Sequence, residues 1–470
     1  MIKVFVFIAV ITTLQLNAQS VHFTDSILVQ SKIWSRDSAK NIQYSNWKNF
    51  PSHTVDMIYG FDINKEDRVC IYGGDMTIQQ KVTGFFRTEK INGRWMVIDP
   101  DGHPFVVAAI NGIRQGKSPN NEKAFAKKYG SSEKWMTTTV EQFQQAGFNT
   151  AGSWSDVLAI IQYNKTAKQP FAYTTQLSLL SGYMKEAIQL DPAKKKLSTL
   201  SFIVDTSFAV YCKEQAKKLI ALKDDPNLLG HFSDNEIPFT STEFNNILAT
   251  TNKTDQCYQI AQQWMKDKGV NEQTISKEQK EAFIGYLTGI YYKIVSAAIK
   301  QYDPNHLYIG SRLHSSAKNN PYIFQSAEPY IDIISINYYG YWQPQTKQMD
   351  DWATFSSKPF FITEYYTKAE DSGMPNISGA GWLVKTQADR GIHYQNFCIE
   401  LLKAKNCVGW HWFRYQDNDP ADLSADPSNN DSNKGIVNTQ YEYYPSLVEK
   451  MKQLNNKKYQ LIKFFDSIKK

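Results

Sequence analysis

The chain has 470 residues, with 52 basic against 46 acidic side chains and a formal net charge of +6. So small an excess, without an Arg/Lys-rich tract, argues against a surface that follows nucleic acid. The length suits one large barrel or two to three ordinary domains, and a hydrophobic content of 42% is enough for a full core.

The N-terminus carries a leader pattern: Lys3, an apolar run from Val4 to Ile11, then Leu16-Asn17-Ala18. It predicts a signal peptide over residues 1–18, cleaved after Ala18, and an exported protein. The apolar run is too short to span a bilayer, and no other segment reaches about 20 apolar residues, so no membrane span is expected. Residues 19–83 lack periodicity and read as an extension packed on a main domain of residues 84–470. Five widely spaced cysteines (Cys70, Cys212, Cys257, Cys398, Cys407) fit neither a disulfide framework nor a zinc pattern and are expected to be buried free thiols.

From Gly84 a hairpin is signalled by Phe85–Thr88, Trp95–Ile98 and the turn Asp99-Pro100-Asp101-Gly102. Eight buried runs then alternate with helical stretches: Val106–Ile110, Asn149–Gly152, Ala172–Thr175, Leu228–Ser233, Leu307–Ser311, Ile331–Ile336, Phe360–Thr363 and Val408–Phe413. Eight strands separated by helices predict an α/β fold, a (β/α)8 TIM barrel with a short N-terminal extension. Among the helices, Ser276-Lys277-Glu278-Gln279 is a capping box ahead of Phe283, Leu287, Ile290 and Ile294, and the last one starts at Pro445. Asp417 to Gly435, rich in Asp, Asn, Ser and Pro, follows the eighth strand as a long loop on the face where barrel active sites collect.

Two of these strands end in glutamates. Asn235-Glu236 closes the fourth and Glu364 the seventh, and two carboxylates about 5 Å apart are what a retaining glycosidase requires. Glu236 is expected as general acid/base and Glu364 as nucleophile. Asn235 is placed to hydrogen-bond a sugar 2-hydroxyl as oxocarbenium character develops. A nucleophile must stay ionised, so it needs donors. Tyr339 is the expected one, with Tyr338 the fallback, because strand alternation turns only one of them inward. Trp410 and Trp412 share a parity and are expected on the floor of the sugar site, at least one as a stacking platform. Arg312 and His314 are expected as hydroxyl or anion contacts, with a structural ion pair open for Arg312; Trp154 and Asn111 are further candidates. Aromatics at 14% suit a sugar cleft as well as plain packing. No His/Cys/Asp spacing matches a metal site and no Gly-rich phosphate loop is present, so no metal or cofactor is expected.

At these residues the chain resembles clan A of the glycoside hydrolases, and within it family 50, the β-agarases. The resembling segments are Gly147-Phe148-Asn149-Thr150 with Ser153-Trp154-Ser155-Asp156, Phe232-Ser233-Asp234-Asn235-Glu236-Ile237-Pro238, Asp303 to Arg312, and Gly409-Trp410-His411-Trp412 with Tyr415-Gln416-Asp417. The resemblance implies retaining cleavage of β-1,4-galactosyl bonds in agarose, with Glu236 as acid/base and Glu364 as nucleophile. The substrate is then a β-linked galactan polysaccharide or oligosaccharide. Porphyran, carrageenan, another β-linked glycan such as a glucan or mannan, and a non-catalytic glycan-binding barrel stay open as alternatives.

Overall fold

The computed structural model describes residues 21–37, 42–422, 425–426 and 428–468. The leader expected at residues 1–18 lies outside the described residues. Eight strands form one parallel sheet: β1 (Val107–Ile110), β2 (Thr150–Ala151), β3 (Ala172–Gln176), β4 (Leu228–Phe232), β5 (Leu307–Tyr308), β6 (Ile334–Asn337), β7 (Phe360–Glu364) and β8 (Cys407–Trp412). Their order in the sheet is β5-β4-β3-β2-β1-β8-β7-β6. The sheet curls until its two ends meet just beyond β5, where Leu313 forms a parallel bridge to Ile336. There the Leu313 N–H donates to Ser335 O at 2.8 Å and the Asn337 N–H donates to Leu313 O at 2.9 Å.

Both faces of the sheet are covered, which is why its strands read as apolar runs rather than alternating ones. An inner cluster joins Val107, Ala109, Leu229, Phe361 and Val408, and the hairpin Arg87–Ile91/Arg94–Ile98 adds Val97, with Phe86 and Phe105 beside it. The outer cluster joins the opposite strand faces, Leu228, Ile334, Phe360 and Ile362 among them, to the helices. The capping box forms as expected at Ser276 and Gln279, opening the helix Lys277–Tyr302. That helix buries Phe283 and Leu287 together with Tyr291 and Val295, while Ile290 and Ile294 stand at the margin of the face. Among the described residues it alone is long and apolar enough to cross a membrane, but 56% of its most apolar window is buried inside the fold. The helix Pro445–Asn455 starts at its proline. All five cysteines are free, and all but the half-buried Cys70 are buried.

The extension is more ordered than its sequence suggests. Ile27–Lys32 pairs antiparallel with Lys48–Ser52 and with Trp382–Val384, which itself pairs with Thr367–Ala369 beyond β7. Val29, Trp342, Trp382 and Val384 form the small core of this second sheet. It fastens the extension to the segment beyond β7, and within the extension Trp34–Arg36 pairs antiparallel with Ile42–Tyr44.

β8 carries one irregularity that decides the site. Its pairing with β7 steps from Phe360↔Cys407 to Ile362↔Trp410, so β8 holds one residue more than its neighbour. Gly409 absorbs the bulge at φ +152°, and a Cβ there would sit 2.2 Å from Val107 O. Strain and overpacking together predict that Gly409→Ala destabilises the fold by about 3 kcal/mol. Urea unfolding of the two proteins measures it, and equal midpoints would show that the bulge is not needed.

Candidate active site

β4 ends at Phe232, and the next four residues turn into the cleft. Asp234 clamps this turn: its carboxylate accepts from Leu180 N–H at 2.9 Å, Ser181 N–H at 3.2 Å and Tyr291 O–H at 2.7 Å. Burial pushes Asp234 up to about 6. With the turn held, Glu236 adopts φ +54°, and two other residues just past strand ends, Trp154 (+61°) and Arg312 (+58°), share the left-handed region. Non-glycine residues in that region gather at functional sites, because only a strongly determined surrounding structure keeps them there.

The two glutamates are held differently. Glu364, the last residue of β7, is 6% exposed. Its Oε1 accepts from Arg312 Nη2 at 2.5 Å and its Oε2 from Tyr339 O–H at 2.7 Å. Glu236 is more open, and its Oε1 accepts from Asn337 Nδ2 at 2.7 Å. Asn337 Oδ1 in turn accepts from Thr363 Oγ1 at 2.8 Å, which fixes the amide with its NH2 toward Glu236 and Asn235. Burial raises both carboxyls above the usual range. Arg312 and Tyr339 hold Glu364 back, and Asn337 with the more distant Arg312 holds Glu236 back. Glu364 thus has two charge-stabilising donors in direct contact against one neutral amide on Glu236, an asymmetry that favours the ionised form of Glu364.

Both carboxylates open into one cleft of about 760 Å³, lined also by Asn235, His314, Tyr339 and Trp154. His314 Nδ1 stands 3.9 Å from Glu236 Oε2, and burial lowers the His314 pKa, keeping the ring neutral. Tyr338 turns the other way, its ring 5.9 Å from Phe397 and its hydroxyl accepting from Gln345 N–H at 3.1 Å.

Three expectations need correction, and one open choice is decided. Trp410 and Trp412 are fully buried outside the cleft. Trp410 Nε1 donates to Tyr394 O–H at 2.8 Å and Trp412 Nε1 to Lys434 O at 3.0 Å. Because of the extra residue at Gly409, Val408 and His411 face the inner cluster while both tryptophans face the outer one. Asn111 is a brace between strands: its Nδ2 donates to Thr363 O at 2.7 Å, and it does not reach the cleft wall. For Arg312 the structure decides for the ion pair that its sequence left open: the side chain is fully buried and reaches Ser153 Oγ, Thr363 O at 3.1 Å and Glu364, with Trp154 stacked 4.4 Å from its Cζ.

Sequence reasoning missed the true aromatic walls. Phe413 meets Trp154 edge-on at 5.9 Å, Tyr366 lies beside it, and Trp34 arrives from the extension with its Nε1 on Ala380 O at 2.5 Å. Asn337 was legible only as an amide ending β6. The fold also gathers His231, Asp303 and His306, which no sequence spacing announced. Both rings meet Asp303 Oδ2 at 2.7 Å, and their other nitrogens reach Thr175 Oγ1 and Asp225 O, so the cluster is internally hydrogen-bonded.

The comparisons follow the same architecture. No protein-family model matches the chain. Beta-agarase B of Vibrio sp. (strain JT0107) is 25% identical over 495 aligned residues, covering 83% of this chain and 50% of that protein. Beta-agarase A of the same strain is 24% identical, over 70% of this chain and 36% of its own length. The chain therefore spans half or less of these two relatives. Among solved structures, BpGH50 superposes with a TM-score of 0.82 at 32% identity, covering 94% of this chain and 96% of that one. An exo-beta-agarase shares the fold at a TM-score of 0.68 and 20% identity, over 86% of this chain and 69% of that one.

Proposed function

The chain belongs to glycoside hydrolase family 50, and from that premise we propose a retaining glycosidase that cleaves β-galactosidic bonds in agarose-type or related galactans. The observation that carries this reading is the asymmetric holding of two glutamates on one cleft, one by a cation and a phenol, the other by an amide. The agarase names of the Vibrio relatives support the substrate class. The Leu313–Ile336 bridge supports a closed (β/α)8 barrel over residues 84–470, and the Asn235-Glu236 and Glu364 pair supports clan A.

In this mechanism Glu364 attacks the anomeric carbon while Glu236 gives its proton to the departing glycosidic oxygen. The C–O bond to the leaving sugar breaks as the bond to the carboxylate forms. Glu236, now ionised, takes a proton from water, whose oxygen displaces Glu364 from the opposite face. Asn235, beside Glu236, takes the 2-hydroxyl. Two inversions return the starting configuration, so a β-linked substrate should release a β-hemiacetal first, seen by proton NMR before mutarotation. Early α-anomer would overturn the pairing of roles. A reducing-sugar screen over agarose, porphyran, carrageenan and neutral β-galactans tests the substrate class.

The pH profile follows from the same groups. Glu236 must be protonated to act, and its raised pKa sets the alkaline limb, so kcat/KM should fall as pH rises through it. The acid limb belongs to Glu364, which must be ionised. A Glu236→Gln enzyme assayed on an aryl glycoside with a good leaving group should lose the alkaline limb. An unchanged limb would assign it to another residue.

A further inference from the structure

The cleft is lined by charges of both signs. Arg114 and Lys117 line it from the loop after β1, and Arg414 from the residues just past β8. Arg414 Nη1 donates to Asn418 Oδ1 at 3.1 Å, while its Nε is buried with no hydrogen-bond partner among the described residues. Burial, and after it the charge of Arg114, lowers the Arg414 pKa, while Asp417 and Asp422 oppose the shift. The guanidinium–carboxylate ion pairs among the described residues are Arg87–Glu89, Arg94–Asp466 and Arg312–Glu364, so neither cleft arginine belongs to one. Of the aspartates lining the cleft, Asp422 acts on Arg414, and Asp426 acts on Glu236 and Lys434.

Two guanidinium groups lining one cleft repel. An anion between them reverses the sign of that interaction. The planar donor fork of arginine suits the oxygens of a sulfate or carboxylate, and such charge-assisted bonds are about twice as strong as neutral ones. A neutral sugar hydroxyl would leave most of this donor capacity unused. Gly112, at φ +65°, lets the backbone pass close to the Arg414 side chain: a Cβ there would stand 3.3 Å from its Nε.

Resting on the glycosidase reading above, we propose that the Arg114–Arg414 wall is a subsite for an anionic substituent, a sulfate ester or a carboxylate, on a sugar bound in the cleft. The favoured substrate is then a charged β-linked galactan rather than neutral agarose. Lys117, exposed at the rim, adds a long-range attraction that salt screens.

The test uses the Glu236→Gln full-length enzyme, which holds substrate without turning it over, in calorimetric titrations. The probes are sulfated β-linked galacto-oligosaccharides, the same pool after chemical desulfation, and uronate-bearing β-linked oligosaccharides. One anionic pool should bind at least tenfold tighter than the neutral pool at low salt, and which one does so identifies the substituent. Adding Arg414→Gln should shrink that preference below about twofold; Arg114→Gln, at an exposed position, provides the same reading should the first variant not fold. Equal affinity for all pools, binding of none, or a preference indifferent to both arginines would overturn the proposal. Wild-type activity is scored separately on the same pools. Hydrolysis without anionic preference removes the subsite and leaves the glycosidase reading standing. Tight, arginine-dependent anion binding without hydrolysis of any pool does the reverse.

Discussion

Glu364→Gln is expected to lower kcat by about 10⁴-fold or more on every substrate the enzyme cleaves, since losing a catalytic nucleophile costs on that order. The amide is nearly isosteric, and its oxygen can still accept from Arg312 Nη2 while its NH2 donates to a rotated Tyr339 hydroxyl. The hydrogen-bond pattern thus survives and the charge does not. Arg312 is fully buried, so the variant leaves a guanidinium without its counterion and should unfold earlier, at a cost of about 3 kcal/mol. Azide separates the two glutamates. In Glu236→Ala it replaces water in the second step and should yield the β-glycosyl azide. In Glu364→Gly it fills the place of the lost carboxylate and should yield the α-glycosyl azide. A folded Glu364→Gln enzyme with near-normal turnover would end the assignment.

Arg312→Met is expected to reduce kcat at neutral pH by about 10²- to 10⁴-fold without removing any group that reacts. Arg312 is a positioning residue: it donates to Glu364 Oε1 and to Thr363 O, and it is the main charge holding the Glu364 pKa down against burial. Without it, burial and the repulsion of Glu236 raise that pKa further. The sign follows: a nucleophile with a higher pKa is lost at a higher pH, so the acid limb of kcat/KM should move upward. Activity should partly recover on raising the pH, until Glu236 deprotonates and closes the window. Arg312→Lys restores the charge but not the fork that spans Ser153, Thr363 and Glu364, so it should recover the limb position better than kcat. An acid limb at its original pH in Arg312→Met would show that Arg312 serves only packing.

Much of this site was legible in one dimension because the relevant signals are local. Buried strands advertise themselves as apolar runs, and their ends as the first polar residues after them. That places Glu236 and Glu364 at the cleft, and alternation chooses between Tyr338 and Tyr339 through the geometry of a single strand. The capping box at Ser276 and the proline start at Pro445 are equally local, and the structure holds both.

The same alternation misled at β8. Period two assumes one residue for each residue of the neighbouring strand, and the extra residue at Gly409 breaks that count, so Trp410 and Trp412 moved to the outer cluster. No periodicity within residues 407–412 reveals it, because the bulge exists only relative to β7. Asn111 erred, and Arg312 stayed open between two readings, for a related reason. Each is a plausible polar strand-end residue, and its partner, Glu364 for one and Thr363 O for the other, sits on a strand distant in sequence. Trp34 reaches the cleft from an extension without periodicity, by docking on a sheet edge 346 residues from its bonded carbonyl. Strand identity and strand ends follow from the side chains of one segment and its solvent. Which side chains meet follows from sheet closure and register, which are properties of several segments at once, and the composition of the cleft wall belongs to that second kind.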